Sequence, residues 1–290
     1  MTTERKVAVV TDSGTSIRPE DPEAEKLGVT IVPLDITFYE EGRQVTYADL
    51  DLLPDQFYQK MAASKEFPKT SGAIPGRALE VYKQLSEKTG SIISIHLTSE
   101  HSAVYGSALN AAQMAKEHNP ELLIEVVDSR QISLGAWFPT VTAAKLSQEG
   151  ATLEEIKQAT LSTIPKVETY ATLSSLKNII AGGRVSTLRG YLGMALKINP
   201  VLKVVDGHLI EIAKARTFKR AKETMIERIK QEDAEIVRMA VIHANSPETA
   251  IEVQQALAEF YSGEISIYEV GPVLGVHAGP GTVGVGFQKA

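Results

Sequence analysis

The chain has 290 residues, of which 43% are hydrophobic and 23% are charged. These values are typical of a globular protein and exclude a wholly disordered chain, and the length favours two domains over one. The 30 basic and 36 acidic residues give a net charge of −6. This argues against nucleic acid as the main partner, because binding to phosphate backbones requires an excess of positive charge.

Cysteine is absent, which excludes disulfides, thiolate metal ligands and cysteine nucleophiles and is typical of a reducing compartment. No apolar run approaches the roughly 18 residues that a membrane span needs, and the chain opens on polar residues rather than on a leader peptide. The six histidines lack the spacing of a helical zinc motif. We therefore expect a cytoplasmic protein with no transmembrane segment and no metal site.

The first half of the sequence alternates short apolar runs with amphipathic segments of helical length. Strands are predicted over residues 6–10, 29–38, 91–97 and 122–127, and the second of these is broken at Pro33. Helices are predicted over residues 49–65, 75–88, 102–118 and 133–148, with a loop over residues 67–74. This alternation predicts parallel βαβ units, and hence an α/β domain.

The second half has a different pattern, which begins near Pro165. Helices are predicted over residues 153–164, 217–230 and 247–260, and strands over residues 167–173, 198–205, 209–213, 234–243 and 264–270. The Asp206-Gly207 pair between two of these strands is a strong hairpin signal. We therefore predict an N-terminal parallel-sheet α/β domain over residues 1–164 and a C-terminal mixed α/β domain over residues 165–290.

Four predicted loops are rich in small and hydroxylated residues, namely residues 11–15, 69–72, 98–102 and 128–133. Ligands of open parallel sheets collect outside the carboxyl ends of the strands, so these loops are expected to meet in one crevice. The hydroxyls of Thr70, Ser71, Ser99 and Ser102 offer uncharged donors, and Ser102 is the expected N-cap of the helix over residues 102–118. Any single loop is better explained as a local cap or turn, and it is the occurrence of four such loops that favours a shared site.

The C-terminal segment 271–284 is rich in glycine. Three of its glycines match the spacing G-x-G-x-x-G, but the chain ends soon afterwards, so the helix and the acidic residue of a dinucleotide site are missing. What remains is His277 in a predicted glycine-rich loop, where exposed backbone N–H groups suit an anionic ligand. A structural hydrogen bond explains this histidine equally well.

Arg184 follows Gly182-Gly183 at a predicted helix end, where its guanidinium is suited to a carboxylate or a phosphate. Alternatively, Gly183 ends the helix and Arg184 is a solvated cation. A further basic cluster consists of Lys214, Arg216, Lys219, Arg220 and Lys222, and such clusters are usually solvated faces. The sequence has neither a phosphate-binding P-loop nor a nucleophile elbow, which argues against ATP hydrolysis and α/β-hydrolase chemistry.

Taken together, these segments resemble the DegV family from residue 7 to residue 286. The resemblance rests on Val10-Thr11-Asp12-Ser13, Lys69-Thr70-Ser71 followed by Pro75-Gly76, Asp128-Ser129, Gly182-Gly183-Arg184, and residues 271–281 with His277. It implies a two-domain α/β protein with a ligand slot between the domains. It also implies a cytoplasmic lipid-binding protein of phospholipid metabolism that holds a long-chain fatty acid as the acyl-carrying subunit of a bacterial fatty acid kinase.

The resemblance also implies residue roles. Thr70 and Ser102 would bind the fatty acid carboxylate, and Arg184 and His277 would contact the acyl phosphate. Arg216 would dock the kinase subunit, which supplies ATP and catalysis, so this chain would have no catalytic residue and no cofactor. The remaining residues carried over would support the head-group site: Asp12, Ser13, Ser71 and Ser129.

The sequence departs from the family pattern at several positions. Residues 101–107 read His-Ser-Ala-Val-Tyr-Gly-Ser where the family has Leu-Ser-Gly-Thr-Tyr-Gln-Ser, Gly72-Ala73 replaces Gln-Pro, and Asn199 replaces a lysine.

Two other functions stay open. The protein could be an enzyme that uses His277 as acid or base beside Asp12 or Asp128, or it could carry another amphipathic anion, such as a retinoid or a bile acid.

Overall fold

The computed structural model describes residues 7–71, 75–184, 198–232 and 234–290. Its strands are β1 (Ala8–Asp12), β2 (Thr30–Val32), β3 (Asp35–Glu40), β4 (Arg43–Ala48), β5 (Lys69–Ser71), β6 (Ser91–His96), β7 (Leu123–Asp128), β8 (Val167–Thr172), β9 (Asn199–Val205), β10 (His208–Ala215), β11 (Ile236–His243), β12 (Ile265–Glu269) and β13 (Val283–Lys289). Its α-helices are α1 (Pro22–Leu27), α2 (Pro54–Ala63), α3 (Pro75–Ser86), α4 (Val104–His118), α5 (Leu134–Gln148), α6 (Leu153–Thr163), α7 (Lys177–Ala181), α8 (Phe218–Lys230), α9 (Pro247–Ala258) and α10 (Pro272–Ala278).

The first half contains a parallel sheet, sheet A, with the strand order β2-β1-β6-β7. After Ser91, every residue of β6 is buried, as expected for a strand with helices on both faces of its sheet. The predicted parallel α/β unit is therefore confirmed. The predicted start of α4 is two residues early: the helix begins at Val104, whose N–H donates to Oγ of Ser102 at 3.3 Å.

A second sheet, sheet B, has the order β4-β3-β5 and is antiparallel. The single strand predicted over residues 29–38 was wrong, because the break at Pro33 separates β2 in sheet A from β3 in sheet B. The loop predicted over residues 67–74 was also wrong in part. Residues Lys69–Ser71 form β5 and pair with β3, while Gly72 and Ala73 lie outside the described residues.

The second half is built on a mixed sheet, sheet C, with the order β10-β9-β8-β13-β11-β12. Its β11–β12 pair is parallel, and the other neighbouring strands are antiparallel. The predicted mixed α/β architecture is therefore confirmed. The predicted loop around His277 was wrong: Pro272 occupies the first turn of α10, a position that proline favours, and His277 lies in the last turn of this helix.

Helix α5 packs against both sheet A and sheet C. Trp137 and Phe138 on this helix are fully buried in one hydrophobic cluster with Val9 of sheet A and Ala240 of sheet C. Glu23 of α1 adds a polar link, because it accepts a hydrogen bond from the Trp137 indole and pairs with Arg238 of β11. The two halves thus share a core, and the exact boundary at residues 164 and 165 stays a prediction.

The turn between β9 and β10 joins the two halves at a second place. Its residues Asp206 and Gly207 have φ of 49° and 83°, which confirms the predicted hairpin. The carbonyl of Gly207 accepts a hydrogen bond from Oγ1 of Thr98 at 3.1 Å, and the carbonyl of Asp206 accepts one from Arg130. The hairpin tip is therefore anchored on two loops at the carboxyl edge of sheet A.

Gly207→Ala should destabilise the protein more than Gly42→Ala. Both glycines end two-residue turns, with φ of 83° and 82°, so the strain of alanine in this conformation, about 1–2 kcal/mol, is common to the two variants. A Cβ at Gly207 would lie 2.6 Å from Oγ1 of Thr98, whereas nothing lies within 4 Å of that position at Gly42. Urea unfolding should show an extra loss of about 1 kcal/mol for Gly207→Ala; equal losses would contradict the anchoring role of the hairpin.

Candidate functional site

A cavity of about 140 Å³ lies between the two halves. Its lining is mostly apolar and consists of Leu34, Leu97, Ile132, Tyr170, Ala171, Leu173, Ile179, Leu202, Leu209, Ile242, Val270, Val273, Leu274 and Ala278. Polar lining residues include Thr70, His101, Ser102, Ser133, Thr169, Arg184, His277 and Thr282. Three of the four predicted loop regions contribute to this lining, and the predicted ligand slot between the domains is present. Residues 11–15 do not contribute to it.

Thr70 and His277 are in direct contact in this cavity. The pairing of Thr70 with Ile36 places β5 at the edge of sheet B, next to α10. Oγ1 of Thr70 and Nε2 of His277 are 2.8 Å apart and form a hydrogen bond. Two residues that are 207 positions apart in the sequence thus form one polar unit.

The ring of His277 is neutral at physiological pH. Burial lowers the pKa of His277 to about 4, and the nearby charge of Arg184 adds to this effect. Its Nδ1 atom is buried and has no hydrogen-bond partner among the described residues. The ring packs tightly on the end of α7, since a Cβ at Gly182 would lie only 2.2 Å from Nδ1. Glycine at position 182 is therefore required for this contact.

Arg184 lies at the end of α7 and faces the cavity. Gly183 has φ of 72°, and the Arg184 N–H donates to the carbonyl of Ile179 at 3.1 Å, which is the helix-ending pattern that a glycine allows. The guanidinium donates to the carbonyls of Gly182 at 2.8 Å and His101 at 3.5 Å. Gly183 therefore ends the helix, and it also turns Arg184 towards the cavity.

His101 is a site residue that the sequence analysis treated only as a departure from the family pattern. Its Nε2 accepts a hydrogen bond from the Leu209 N–H at 3.1 Å, so the neutral ring carries its proton on Nδ1. Burial, together with the nearby charges of His208 and Arg184, lowers the pKa of His101 to about 4. Its position next to Ser102 was the available signal in the sequence.

The polar lining of the cavity combines neutral groups with one positive charge. Thr70, Ser102, His101 and His277 present neutral polar groups, and among the described residues that line the cavity Arg184 is the one with a full charge. A single cation at the end of an apolar cavity favours a ligand with one anionic group and a long apolar part.

Comparison with known proteins places the chain in a family. Residues 6–290 match the family model described as "Uncharacterised protein, DegV family". The chain belongs to the DegV family. A DegV domain-containing protein of Caldanaerobacter subterraneus is 33% identical over 288 residues, which cover 98% of this chain and 99% of that protein.

Two solved structures share the DegV fold over their whole length. The crystal structure of DegV, a fatty acid binding protein from Bacillus subtilis, has a TM-score of 0.85 at 29% identity and covers 99% of this chain and 100% of that one. A DegV family protein from Ruminococcus gnavus, solved with vaccenic acid, has a TM-score of 0.84 at 27% identity. It covers 98% of this chain and 100% of that one.

The four residues predicted to support the head-group site in this DegV protein do not line the cavity. Buried Asp12 accepts hydrogen bonds from the N–H groups of Gly14 and Leu97 and pairs with His96 at 2.9 Å. Ser13 and Ser129 each accept a hydrogen bond from a nearby backbone N–H, and Ser71 is exposed on β5. Their contacts shape the surrounding loops, and their role in binding stays a prediction.

The enzyme hypothesis required His277 to work beside Asp12 or Asp128. The carboxylate of Asp128 instead accepts hydrogen bonds from Ser99 and the Arg130 N–H, and that of Asp12 is held as described above. Among the described residues, neither aspartate lines the cavity with His277. The geometry therefore offers this histidine no carboxylate partner there.

The basic cluster before and within α8 lies on the surface. Three of its cations pair with glutamates: Lys214 with Glu211, Arg220 with Glu223 and Glu227, and Lys222 with Glu252. Arg216 is exposed between β10 and α8, and its docking role stays a prediction. In the described parts of the chain, no helix is both long and apolar enough to cross a membrane.

His277→Gln should weaken the pH dependence of stability. Because the folded pKa of His277, about 4, lies below the usual value of about 6.5, the unfolded chain binds a proton there between pH 6.5 and 4 that the folded protein does not. Stability contributed by this group is thus fully present above pH 6.5 and is lost as the pH falls to 4. The fall in unfolding free energy from pH 7 to pH 5 should shrink by about 1–2 kcal/mol in the variant.

Urea unfolding at the two pH values measures this difference, with His118→Gln as the control at an exposed histidine of α4. Burial raises the pKa of Asp49 to about 7 and so opposes the trend, but this group is common to all three proteins and cancels. An unchanged pH dependence in His277→Gln would contradict the buried, neutral state of the ring.

Proposed function

We propose that this protein binds a long-chain fatty acid in the cavity, with the carboxylate at Thr70, Ser102 and Arg184. The observation that carries the proposal is the arrangement of the lining. The Thr70 hydroxyl and the Arg184 charge lie next to His277, Ser102 lines the same cavity, and the greater part of the remaining surface is aliphatic. This division matches the two parts of a fatty acid.

The energetics favour the same ligand. Burying a sixteen-carbon chain offers on the order of 10 kcal/mol, at about 0.8 kcal/mol per methylene, before ordering costs. A carboxylate buried without partners costs several kcal/mol, and Arg184 and the two hydroxyls supply them. The chain thus provides most of the affinity, and the head-group contacts fix its direction.

The family members of known structure support this assignment. The Bacillus subtilis protein is described as a fatty acid binding protein, and the Ruminococcus gnavus protein was solved with vaccenic acid. Both align over nearly the whole of this chain, so the cavity lies in a fold that holds fatty acids elsewhere in the family.

We further propose that the bound acid is phosphorylated by a separate kinase subunit. A carboxylate oxygen would attack the γ-phosphorus of ATP held by that subunit, and ADP would leave. The product carries a charge near −2 in place of −1, so Arg184 would interact more strongly with product than with substrate. In this proposal the present chain positions the acid and contributes no catalytic base and no cofactor.

The double variant Thr70→Ala/Ser102→Ala should lose its fatty acid. Each hydroxyl is expected to donate to the carboxylate, and a hydrogen bond to a charged group contributes about 1.5–3 kcal/mol, so affinity should fall at least tenfold. Mass spectrometry of organic extracts should find one fatty acid per chain in the parent and little in the variant. Thr37→Ala/Ser162→Ala, which removes two hydroxyls from the surface side of β3 and from α6, is the control.

Each outcome of this experiment is informative. Equal recovery from the parent and the double variant would contradict the head-group assignment. A retinoid or bile acid in the extract would favour a carrier of another amphipathic anion. A parent protein without lipid that turns over a small anion unaided would favour an enzyme.

Arg216→Glu should slow phosphorylation of the bound acid and leave fatty acid binding unchanged. The exposed position of Arg216 allows it to attract an acidic partner surface, and reversing a charge at the edge of an interface mainly lowers the association rate. A purified bacterial fatty acid kinase subunit and labelled ATP provide the assay. Arg43→Glu reverses a charge on β4 that is 76% exposed and is the control; equal rates in both variants would contradict docking at Arg216.

A further inference from the structure

The ring of His101 is oriented by the edge of sheet C. Strand β10 is the outer strand of this sheet, and the N–H of Leu209 in this strand donates to Nε2 of His101 at 3.1 Å. A backbone N–H can only donate, so Nε2 is the acceptor and the proton of the neutral ring is on Nδ1. The position of this proton thus follows from the contact itself.

The Nδ1 atom of His101 is a buried donor that lacks an acceptor. It makes no hydrogen bond to any described residue. A buried N–H group is costly when it has lost its bond to water and has gained no other, and such groups in folded proteins usually bond to ordered water or to a ligand. Because His101 lines the cavity, a molecule in the cavity can supply the missing acceptor.

His101 lies close to the residues that we propose bind the carboxylate. Its carbonyl accepts a hydrogen bond from the Arg184 guanidinium at 3.5 Å, and the next residue, Ser102, also lines the cavity. Burial and then the proximity of Arg184 and His101 lower the pKa of His277 to about 4, so the two histidine rings are near each other. His277 in turn is bonded to Thr70.

The other histidine of the cavity is placed differently. Nδ1 of His277 also lacks a partner among the described residues, but the end of α7 packs against that side of the ring, since a Cβ at Gly182 would lie 2.2 Å from Nδ1. Its Nε2 is bonded to Thr70 at 2.8 Å. Of the two rings, His101 is therefore the one whose unused donor is better placed for a ligand.

We propose that the Nδ1–H group of His101 is a further hydrogen-bond donor to the carboxylate of the bound fatty acid. This inference rests on the proposed function and adds a residue to its head-group site. A carboxylate accepts several hydrogen bonds and donates none, and Arg184 already balances its charge. A neutral donor therefore satisfies a further lone pair without placing a second cation in an apolar cavity.

Two substitutions separate the roles of the two ring nitrogens. In His101→Gln, the amide oxygen is as many bonds from the backbone as Nε2, so it can accept from the Leu209 N–H, while the Nδ1 donor is lost. In His101→Asn, the amide nitrogen is as many bonds from the backbone as Nδ1, so the donor is kept and the acceptor for Leu209 is lost. The first variant tests the ligand contact, and the second tests the hairpin contact.

The measurement is the preference for hexadecanoic acid over hexadecan-1-ol, given by the ratio of their dissociation constants in displacement of a fluorescent fatty acid. Both ligands have the same chain length, so a disturbance of the apolar wall affects both and cancels in the ratio. A hydrogen bond to a charged group contributes more than one to a neutral group. The preference should therefore fall about tenfold in His101→Gln, which corresponds to about 1.4 kcal/mol, and stay close to the parent value in His101→Asn.

His208→Gln is the matched control. It changes a histidine of the same hairpin, next to Leu209, that does not line the cavity, so it should keep the preference of the parent. Urea unfolding without ligand tests the hairpin contact separately. His101→Asn should be less stable than His101→Gln, because it leaves the Leu209 N–H without an acceptor.

Two results would overturn the inference and leave the proposed function intact. One is an unchanged preference in His101→Gln, which would mean that Nδ1 bonds to water instead of the ligand. The other is an equal fall of the preference in His101→Asn or in His208→Gln. A parent protein that binds neither ligand, or that binds the acid no more tightly than the alcohol, would contradict the proposed function itself.

Discussion

The polar end of the cavity, which we propose binds the head group, depends on the packing of the α7 terminus against the buried ring of His277. Gly182 permits this contact, and burial together with the Arg184 charge keeps the ring neutral. The same ring holds Thr70 of sheet B through a hydrogen bond, and Arg184 reaches across to the carbonyl of His101. One neutral imidazole therefore connects three separate parts of the chain, and among the described residues that line the cavity the positive charge is confined to Arg184.

Local signals in the sequence were sufficient for much of the fold. The alternation of apolar runs predicted sheet A, and Asp206-Gly207 predicted the β9–β10 turn, because both depend on residues close in sequence. Strand β5 was missed since Lys69–Ser71 is short and polar, and only its pairing with β3 makes it a strand. Helix α10 was missed because the many glycines of its segment were given more weight than Pro272, a helix-start signal.

The site was less accessible to sequence reasoning than the fold. Thr70, Ser102, Arg184 and His277 line one cavity, yet they were selected through resemblance to a family, since no spacing in the sequence brings them together. His101 was not identified as a candidate, because it is a single residue that acquires its position from contacts over long sequence distances. The hydroxyl-rich loops were a real signal, but part of their polarity, as at Ser13 and Ser129, serves backbone amides.

The core that helix α5 forms with both halves limits how far they can separate. Its side chains Trp137 and Phe138 are shielded from water, and they lie in a hydrophobic core to which both halves contribute. A wide opening between the two halves would expose these apolar side chains to water, which costs several kcal/mol of free energy. We therefore expect the two halves to unfold together, in one cooperative transition in calorimetry.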